Sequence, residues 1–306
     1  MTPMASPSKL RVLCLGLAGL LALSGCATGG PATPATTGGA TTPASTSTIP
    51  GTAGTSATSA ATPTASGSTA TTQPTQGAGL AVHRNADGSC TMPAQYAGKD
   101  FESTPTGSKK VIALTFDGGA SNAADKKILQ VLEEKQAVAT FFFTGKFAEM
   151  YPDTVKTIAA KYPIGNHSYD HPEFTKLTDA KVNEQLTKGE AAIVKASGGV
   201  TPVPFFRFPY GNRNAHAIQL VNKQCYVPFR WTIDTLGWDG TGKGNTAAKI
   251  TDLVLSKATP GGIVLMHQGD HPTDHSTLDA DALPAMIDGL RAKGYELVTL
   301  ADALQG

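Results

Sequence analysis

Charged side chains are absent from a long early part of this sequence. Residues 27–79 contain no Asp, Glu, Lys, Arg or His, and Thr, Ala, Ser, Gly and Pro supply nearly all of them. Such a segment has too little apolar surface to offset the entropy lost on ordering. This composition excludes a packed domain and predicts a disordered tether over residues 26–79. It leaves roughly 200–225 residues for a folded core.

An excess of either charge is also missing. The 306 residues include 25 Lys and Arg against 24 Asp and Glu, a formal net charge of +1. Proteins that bind nucleic acid present a basic patch or stripe to the phosphate backbone. The near-neutral balance therefore argues against a nucleic-acid partner.

The N-terminus has the pattern of an export signal. Lys9 and Arg11 precede an apolar run, residues 12–23, that is too short to span a bilayer comfortably. The run ends in LSGC, which resembles the bacterial lipoprotein lipobox and implies lipidation of Cys26. We expect residues 1–25 to be a signal peptide and the protein to be extracytoplasmic and lipid-anchored to the bacterial cell membrane. The alternative is an ordinary signal peptide in which this cysteine is incidental.

Cysteine is scarce, and its four positions separate into two groups. Cys14 would leave with the signal peptide and Cys26 would carry lipid, so Cys90 and Cys225 remain. Disulfides persist in oxidising compartments. We predict a disulfide between these two residues, which would tie an N-terminal extension, residues 80–108, to the main domain. Two unrelated thiols are the alternative.

From residue 109 onward, apolar strand-like runs alternate with amphipathic helical stretches. Alternation of this kind predicts an α/β fold with a parallel sheet. No Gly-rich phosphate loop follows the first run, which favours a barrel over an open dinucleotide-binding sheet. The seven runs are KKVIALTF, VATFFFTG, PIGNHS, PFFRFP, YVPFRWTID, GIVLMH and YELVTL.

Polar residues and one proline mark where the helices begin. Ser121, Thr178 and Asn245 precede helical stretches and are predicted N-caps. Pro152 is predicted to begin the helix that contains it.

The residues most capable of chemistry follow the predicted strands. In a parallel barrel the strand C-termini share one face, where active sites are built. This placement predicts one common site. Its members are Asp117, His167, His171, Arg207, Tyr210, Asp234, Trp238, Asp239 and His267.

His167 and His171 have an i, i+4 spacing. On a helical turn this spacing would place both imidazoles on one side, where they could share a metal ion. Two surface histidines are the simpler alternative. Arg207 follows two phenylalanines, and a buried arginine needs a charged partner. Asp117 or Asp234 could supply it.

Five blocks of the sequence resemble the polysaccharide deacetylases of the NodB-homology type, carbohydrate esterase family 4. The blocks are TFDGG, HSYDH, RFPYG, DTLGW and LMH, in that order. The resemblance covers residues 109–306. It implies a distorted (β/α)7 barrel, in agreement with the seven alternating units counted above.

The resemblance also implies roles for individual residues. Asp117 matches the catalytic base, Arg207 the residue that holds it, and His267 the general acid. His167 and His171 match ligands of a divalent metal, often zinc, with cobalt, nickel or manganese as alternatives. The implied substrate-binding set is Tyr210 through its backbone N–H, Trp238, Leu265 and Asp234.

Two positions depart from the family pattern. Gly118 stands where an acid usually binds the metal, and Gly237 stands where an acid usually tunes the catalytic histidine. Three outcomes follow. Asp117 could itself ligate the metal, with Asp239 or Asp270 as the base. Water could fill the missing ligand position. Catalysis could instead be lost.

We therefore expect a metal-dependent hydrolase that removes N-acetyl groups from a cell-envelope polysaccharide, with peptidoglycan as the leading substrate. The expected partners are the polysaccharide and the membrane, through a lipid anchor only, and we expect a monomer. The alternatives are an inactive glycan-binding domain, an O-acetyl esterase and a hydrolase of other amide bonds.

Overall fold

A computed structural model of the chain describes residues 80–106 and 109–305. The predicted signal peptide, the predicted lipidation of Cys26 and the predicted tether over residues 26–79 lie outside the described residues. Within the described part, no helix has the length and apolar character needed to cross a bilayer.

A curled parallel sheet forms the centre of the fold. Its strand order is β7-β6-β5-β4-β3-β9-β8, and β10 pairs with the first half of β3. The central strand β3 is buried along its whole length, as expected of a strand covered on both faces. The bounds are β3 Val111–Gly118, β4 Thr140–Phe143, β5 Ile164–Asn166, β6 Phe205–Phe206, β7 Val227–Pro228, β8 Ile233–Asp234, β9 Gly262–His267 and β10 Glu296–Val298.

The helices cover the outside of this sheet. Their apolar residues join the strand residues Ile112, Phe116 and Phe141 in the main hydrophobic cluster. The helix bounds are α1 Asp125–Glu134, α2 Gly145–Met150, α3 Pro152–Ala159, α4 Asp179–Ala196, α5 Ala215–Lys223, α6 Ala247–Lys257, α7 Leu278–Ala292 and α8 Leu300–Gln305. The expected α/β fold of the NodB type is confirmed, with the barrel only partly closed.

Two of the four predicted helix starts agree with the structure. Pro152 occupies the first position of α3, and the Thr178 side chain accepts a hydrogen bond from the Lys181 N–H at the start of α4. The Ser121 prediction is wrong, because α1 begins after Ala124 and has no side-chain cap.

The Asn245 prediction misses by one residue. The Thr246 side chain accepts from the Lys249 N–H and caps α6. Asn245 instead donates to the carbonyl of Leu236 in the loop after β8. A hydroxyl at the cap satisfies a free N–H of the first helical turn in the same way that an amide would.

The predicted strand YVPFRWTID is two strands in the structure. Val227–Pro228 forms β7 and Ile233–Asp234 forms β8, at opposite edges of the sheet. In the described part of the chain no strand pairing joins these edges, so the barrel has an open seam.

The N-terminal extension crosses this seam. Phe101 forms a parallel bridge with Phe229, just after β7, and Ser103 forms an antiparallel bridge with Gly262, at the start of β9. Strand edges left unpaired expose N–H and C=O groups. The extension therefore pairs with backbone groups that the barrel strands leave open, just after β7 and at the start of β9.

A short hairpin near the start of the extension provides a second attachment to the main domain. It consists of β1, His83–Arg84, and β2, Cys90–Thr91, which pair antiparallel. The predicted disulfide joins Cys90 to Cys225, with a sequence separation of 135 residues. This prediction is confirmed.

Replacing both cysteines should destabilise the fold. In the chain-entropy account, closing a loop of 135 residues contributes about 4–5 kcal/mol to the free energy of unfolding. We expect the Cys90→Ser/Cys225→Ser variant to lose most of that amount in urea unfolding. Under reducing conditions the wild type and the variant should unfold at the same urea concentration. A gap that persists in reductant would contradict the entropic origin.

Candidate active site

A cleft opens at the C-terminal ends of the parallel strands. It has two lobes of about 330 and 400 Å³ that share five lining residues. These residues are Asp117, His167, His171, Trp238 and His267. The strand register places Asp117 directly beside His267 on the neighbouring strand. The sequence prediction that these side chains meet at one face agrees with this geometry.

Asp117 and Arg207 form a buried ion pair at the floor of the cleft. Arg207 Nη1 donates to Asp117 Oδ1 over 2.7 Å, and the arginine side chain is fully buried. Burial raises the pKa of Asp117, but the charge of Arg207 outweighs it and holds that pKa below its ordinary value. Of the two partners expected for Arg207, the structure selects Asp117 rather than Asp234. The carboxylate is therefore ionised and fixed.

His167 and His171 meet above this pair, although the segment is not helical. Their Nε2 atoms are 3.1 Å apart. Ser168 and His171 have positive φ angles of 74° and 65°, so the expected helical turn is wrong. The Ser168 hydroxyl accepts from the His171 N–H and holds the loop in this shape. A tight loop, rather than a helix, brings the imidazoles together.

The hydrogen bonds of His167 direct one ring nitrogen into the cleft. Nδ1 lies 2.7 Å from the Arg207 carbonyl oxygen and donates to it, which leaves the Nε2 lone pair free. Burial lowers the pKa of His167 below its ordinary value, and burial is also the main reason that the pKa of His171 falls to about 4. Both imidazoles are therefore neutral at neutral pH, as metal ligation requires.

The donor atoms have the separations of metal ligands. His167 Nε2 lies 3.5 Å from Asp117 Oδ2 and 3.1 Å from His171 Nε2. Two ligands of tetrahedral zinc lie about 3.3 Å apart when the metal–ligand bonds are about 2.0–2.1 Å. A complete three-residue cage of His, Cys, Asp or Glu is not preassembled among residues 80–106 and 109–305. The donor set, two neutral imidazoles and a carboxylate, nevertheless fits zinc.

His267 stands at the end of β9, next to Asp117 on the neighbouring strand. Its ring is 6.5 Å from the ring of Trp238, which is half exposed. Burial lowers the pKa of His267, but the carboxylates of Asp279, Asp117 and Asp234 outweigh it and raise that pKa above its ordinary value. A histidine with this environment can carry a proton in the cleft near neutral pH.

The predicted substrate-binding residues line the second lobe of the cleft. Tyr210 is 69% exposed and has a φ of 58°, and its ring packs edge-on against His171 at 4.4 Å. Leu265 is buried in the wall, and Asp234 stands at the end of β8. The structure therefore brings all four predicted substrate-binding residues to one cleft. Trp231 also lines it and was not predicted.

The two alternative bases have other partners. Asp239 pairs with Lys243 at 2.8 Å and does not line either lobe. Asp270 lines the first lobe, but its carboxylate accepts from the Ser121 hydroxyl and contacts His275 Nδ1 at 2.7 Å.

The space beside Gly118 is filled from another strand. A Cβ at this position would overlap Gln268 Oε1 and lie 2.9 Å from Phe143 Cδ1. Gln268 is fully buried, and its Nε2 donates to Asp125 Oδ1. A side chain at position 118 would therefore first meet these groups rather than the cleft. Sequence reasoning missed Gln268 and Asp125.

The space beside Gly237 is also filled, in this case by an acid. A Cβ there would overlap Asp279 Oδ1 and lie 2.5 Å from Asp279 Cγ. Asp279 is 3% exposed, near the start of α7. Sequence reasoning missed it, although an acid in the first turn of a largely apolar helix was the available signal.

Comparisons with known proteins identify the family. Residues 104–228 match the family model for polysaccharide deacetylases. A peptidoglycan-N-acetylglucosamine deacetylase of Bacillus cereus is 36% identical over 198 residues, which cover 64% of this chain and 69% of the relative. The chain belongs to the polysaccharide deacetylase family. A second family member of the same description, from Listeria monocytogenes, is 35% identical over 199 residues, 64% of this chain and 39% of the relative.

The similar solved structures include both a deacetylase and a pseudoenzyme. A peptidoglycan N-acetylglucosamine deacetylase matches with a TM-score of 0.62 and 35% identity, over 69% of this chain and 94% of that one. A structure described as a pseudoenzyme of the same esterase family, from Bacillus anthracis, matches with a TM-score of 0.58 and 28% identity. That match covers 64% of this chain and 66% of the other. A mutant pseudoenzyme with restored activity also matches.

Asp125 should make stability depend on pH. Burial raises its pKa to about 7, against 3.8 for an ordinary Asp. Between these two pKa values, Asp125 is ionised in the unfolded chain but keeps its proton in the folded protein. Rising pH therefore lowers the free energy of unfolding by up to about 1.4 kcal/mol per pH unit. The slope ends above the folded pKa.

We expect Asp125→Asn to remove this slope, since Asn still accepts from Gln268 but does not titrate. In urea unfolding at pH 5, 6 and 7, the free energy of unfolding of the variant should rise relative to that of the wild type as pH rises. Asp153→Asn, at an exposed acid in α3, is the control and should track the wild type. Parallel pH profiles for all three proteins would disprove the assignment.

Proposed function

We propose that this protein is a metal-dependent N-deacetylase of a cell-envelope polysaccharide, and that peptidoglycan amino sugars are its substrate. One observation supports this most directly. An ionised carboxylate, fixed by a buried arginine, faces two neutral imidazoles, and a histidine favoured in its charged form stands on the neighbouring strand. Relatives described as peptidoglycan-N-acetylglucosamine deacetylases add the substrate class.

His167 and His171 would hold the divalent metal, most suitably zinc, and water would fill the position of the missing acid, which leaves Asp117 as the base rather than a ligand. When bound, the metal supplies a Lewis acid that polarises an acetyl carbonyl and lowers the pKa of water. The Arg207 ion pair keeps Asp117 ionised and oriented, so the carboxylate can accept a proton from the attacking water. Asp239 and Asp270 are engaged elsewhere, which favours Asp117 as the base.

The remaining steps would be carried out by residues of β9 and of the loop after β8. His267 would protonate the departing amine, which requires the charged form that its environment favours. The exposed ring of Trp238 and the apolar wall at Leu265 would place the sugar and the acetyl methyl. The products are acetate and a free amine on the sugar, which stays in the polysaccharide.

A glycan-binding domain without catalysis is the second candidate. It is favoured by the absence of an acid at Gly118 and by the likeness to a structure described as a pseudoenzyme. The cleft would then retain its aromatic residues and bind glycan without turnover. An O-acetyl esterase remains the third alternative.

Acetate release distinguishes these functions. We expect the purified protein to bind about one zinc ion and to release acetate from peptidoglycan and N-acetylglucosamine oligomers, with loss of activity in chelator. His171→Ala should lose both metal and activity, because it removes a ligand. His216→Ala, at an exposed histidine of α5, should keep both. Retained peptidoglycan binding without acetate release would establish the glycan-binding function instead.

We further propose that a lipid on Cys26 anchors the mature protein to the outer side of the bacterial cell membrane, with residues 26–79 as the tether. The support is the LSGC motif after the apolar run. Expressed in a bacterial host, the wild type should incorporate labelled palmitate and sediment with membranes, and Cys26→Ala should do neither. Cys14→Ala is the control, and equal labelling of Cys26→Ala would disprove the anchor.

A further inference from the structure

A buried acid, Asp279, lies behind His267 and belongs to none of the roles assigned above. Its side chain is 4% exposed, and it projects from the first turn of α7. An acid removed from water in this way requires partners, because burying an unpaired carboxylate costs several kcal/mol. The partners it has therefore indicate why it is there.

Among residues 80–106 and 109–305, the hydrogen-bond and ion-pair contacts of Asp279 are with His267. Oδ2 accepts the His267 backbone N–H over 2.8 Å and lies 3.8 Å from the ring atom Nδ1. Nδ1 and Asp279 Oδ1 are both buried, and neither has a hydrogen-bond partner in the described part of the chain. The carboxylate and the ring nitrogen thus face one another, just beyond hydrogen-bond distance.

Gly237 makes this arrangement possible. Any Cβ at position 237 would overlap Oδ1 of Asp279 and stand 2.5 Å from its Cγ and 2.8 Å from its Oδ2. The glycine is required by this close approach, since its φ is not among the positive angles of the described residues. The space beside His267 therefore has room for a side chain from position 237 or from position 279, but not from both.

We propose that Asp279 is the positioning residue of His267, and that it takes the place that an acid at position 237 would occupy. Its carboxylate holds the ring and favours a proton on Nδ1, which leaves Nε2 to exchange a proton with the cleft. The proposal rests on the proposed function for its catalytic consequence, but the arrangement itself can be tested separately.

The kinetic test uses a conservative change. Asp279→Asn keeps an oxygen for the His267 backbone N–H and removes the charge that faces the ring. We expect kcat for acetate release to fall about 10- to 100-fold, with KM within about twofold, since second-sphere carboxylate partners of histidine have effects of this size. Asp281→Asn, at a neighbouring acid of α7 that pairs with Lys127, is the matched control and should retain wild-type kcat.

Exchange of the two positions is the decisive experiment. Asp279→Ala should lose activity, and Gly237→Asp alone should destabilise the fold, because two carboxylates compete for one space. The Gly237→Asp/Asp279→Ala double variant should recover kcat relative to Asp279→Ala and recover the urea midpoint relative to Gly237→Asp. A double variant whose losses are merely the sum of the single losses would overturn the proposal, as would wild-type kcat in Asp279→Asn.

A spectroscopic readout separates this proposal from the proposed function. In protein labelled with ¹⁵N-histidine, the His267 signals, assigned with His267→Gln, should show a proton on Nδ1 in the wild type and a changed tautomer balance in Asp279→Asn. If the wild type releases no acetate, these signals and the unfolding midpoints still decide the matter. Identical His267 signals in the wild type and Asp279→Asn would refute the positioning role.

Discussion

The buried ion pair between Arg207 and Asp117 constrains the whole site. The guanidinium is fully buried, lies 4.4 Å from the Phe142 ring centre and reaches the Phe229 carbonyl oxygen as well as the Asp117 carboxylate. Breaking such a pair leaves an uncompensated charge at a cost of several kcal/mol. The ion pair therefore fixes the end of β6 relative to the end of β3. The Arg207 carbonyl also fixes the His167 ring, so a single residue orients both the acid and the first imidazole.

The sequence was sufficient to predict which side chains share the cleft. Parallel strands place their C-termini at one edge, so Asp117 and His267 could be assigned to the same face before their register was known. The disulfide could be predicted because only Cys90 and Cys225 remained after the N-terminal region. Strand periodicity failed at YVPFRWTID, because the pattern of apolar residues does not reveal where a chain leaves one sheet edge and joins the other.

The contents of the spaces beside two glycines could not be predicted. Gly118 and Gly237 identify where a side chain is missing, but Gln268 and Asp279 fill those spaces from other elements of the fold. Local pattern carries no information about such tertiary substitution. At His167 and His171, the proposed metal ligands, the spacing correctly predicted that the two imidazoles meet, but the helical backbone expected for it was wrong.

The extension has a consequence for the order of folding. Phe101 and Ser103 precede every strand of the barrel, yet their partners Phe229 and Gly262 come late in the chain. Contacts of such long sequence separation form slowly. A chain synthesised from its N-terminus therefore makes the extension long before the residues that pair with it. Until Gly262 is available, the seam edges remain unpaired and open to association with other chains. The segment that begins the domain can therefore pair with the barrel only after Phe229 and Gly262 have been made.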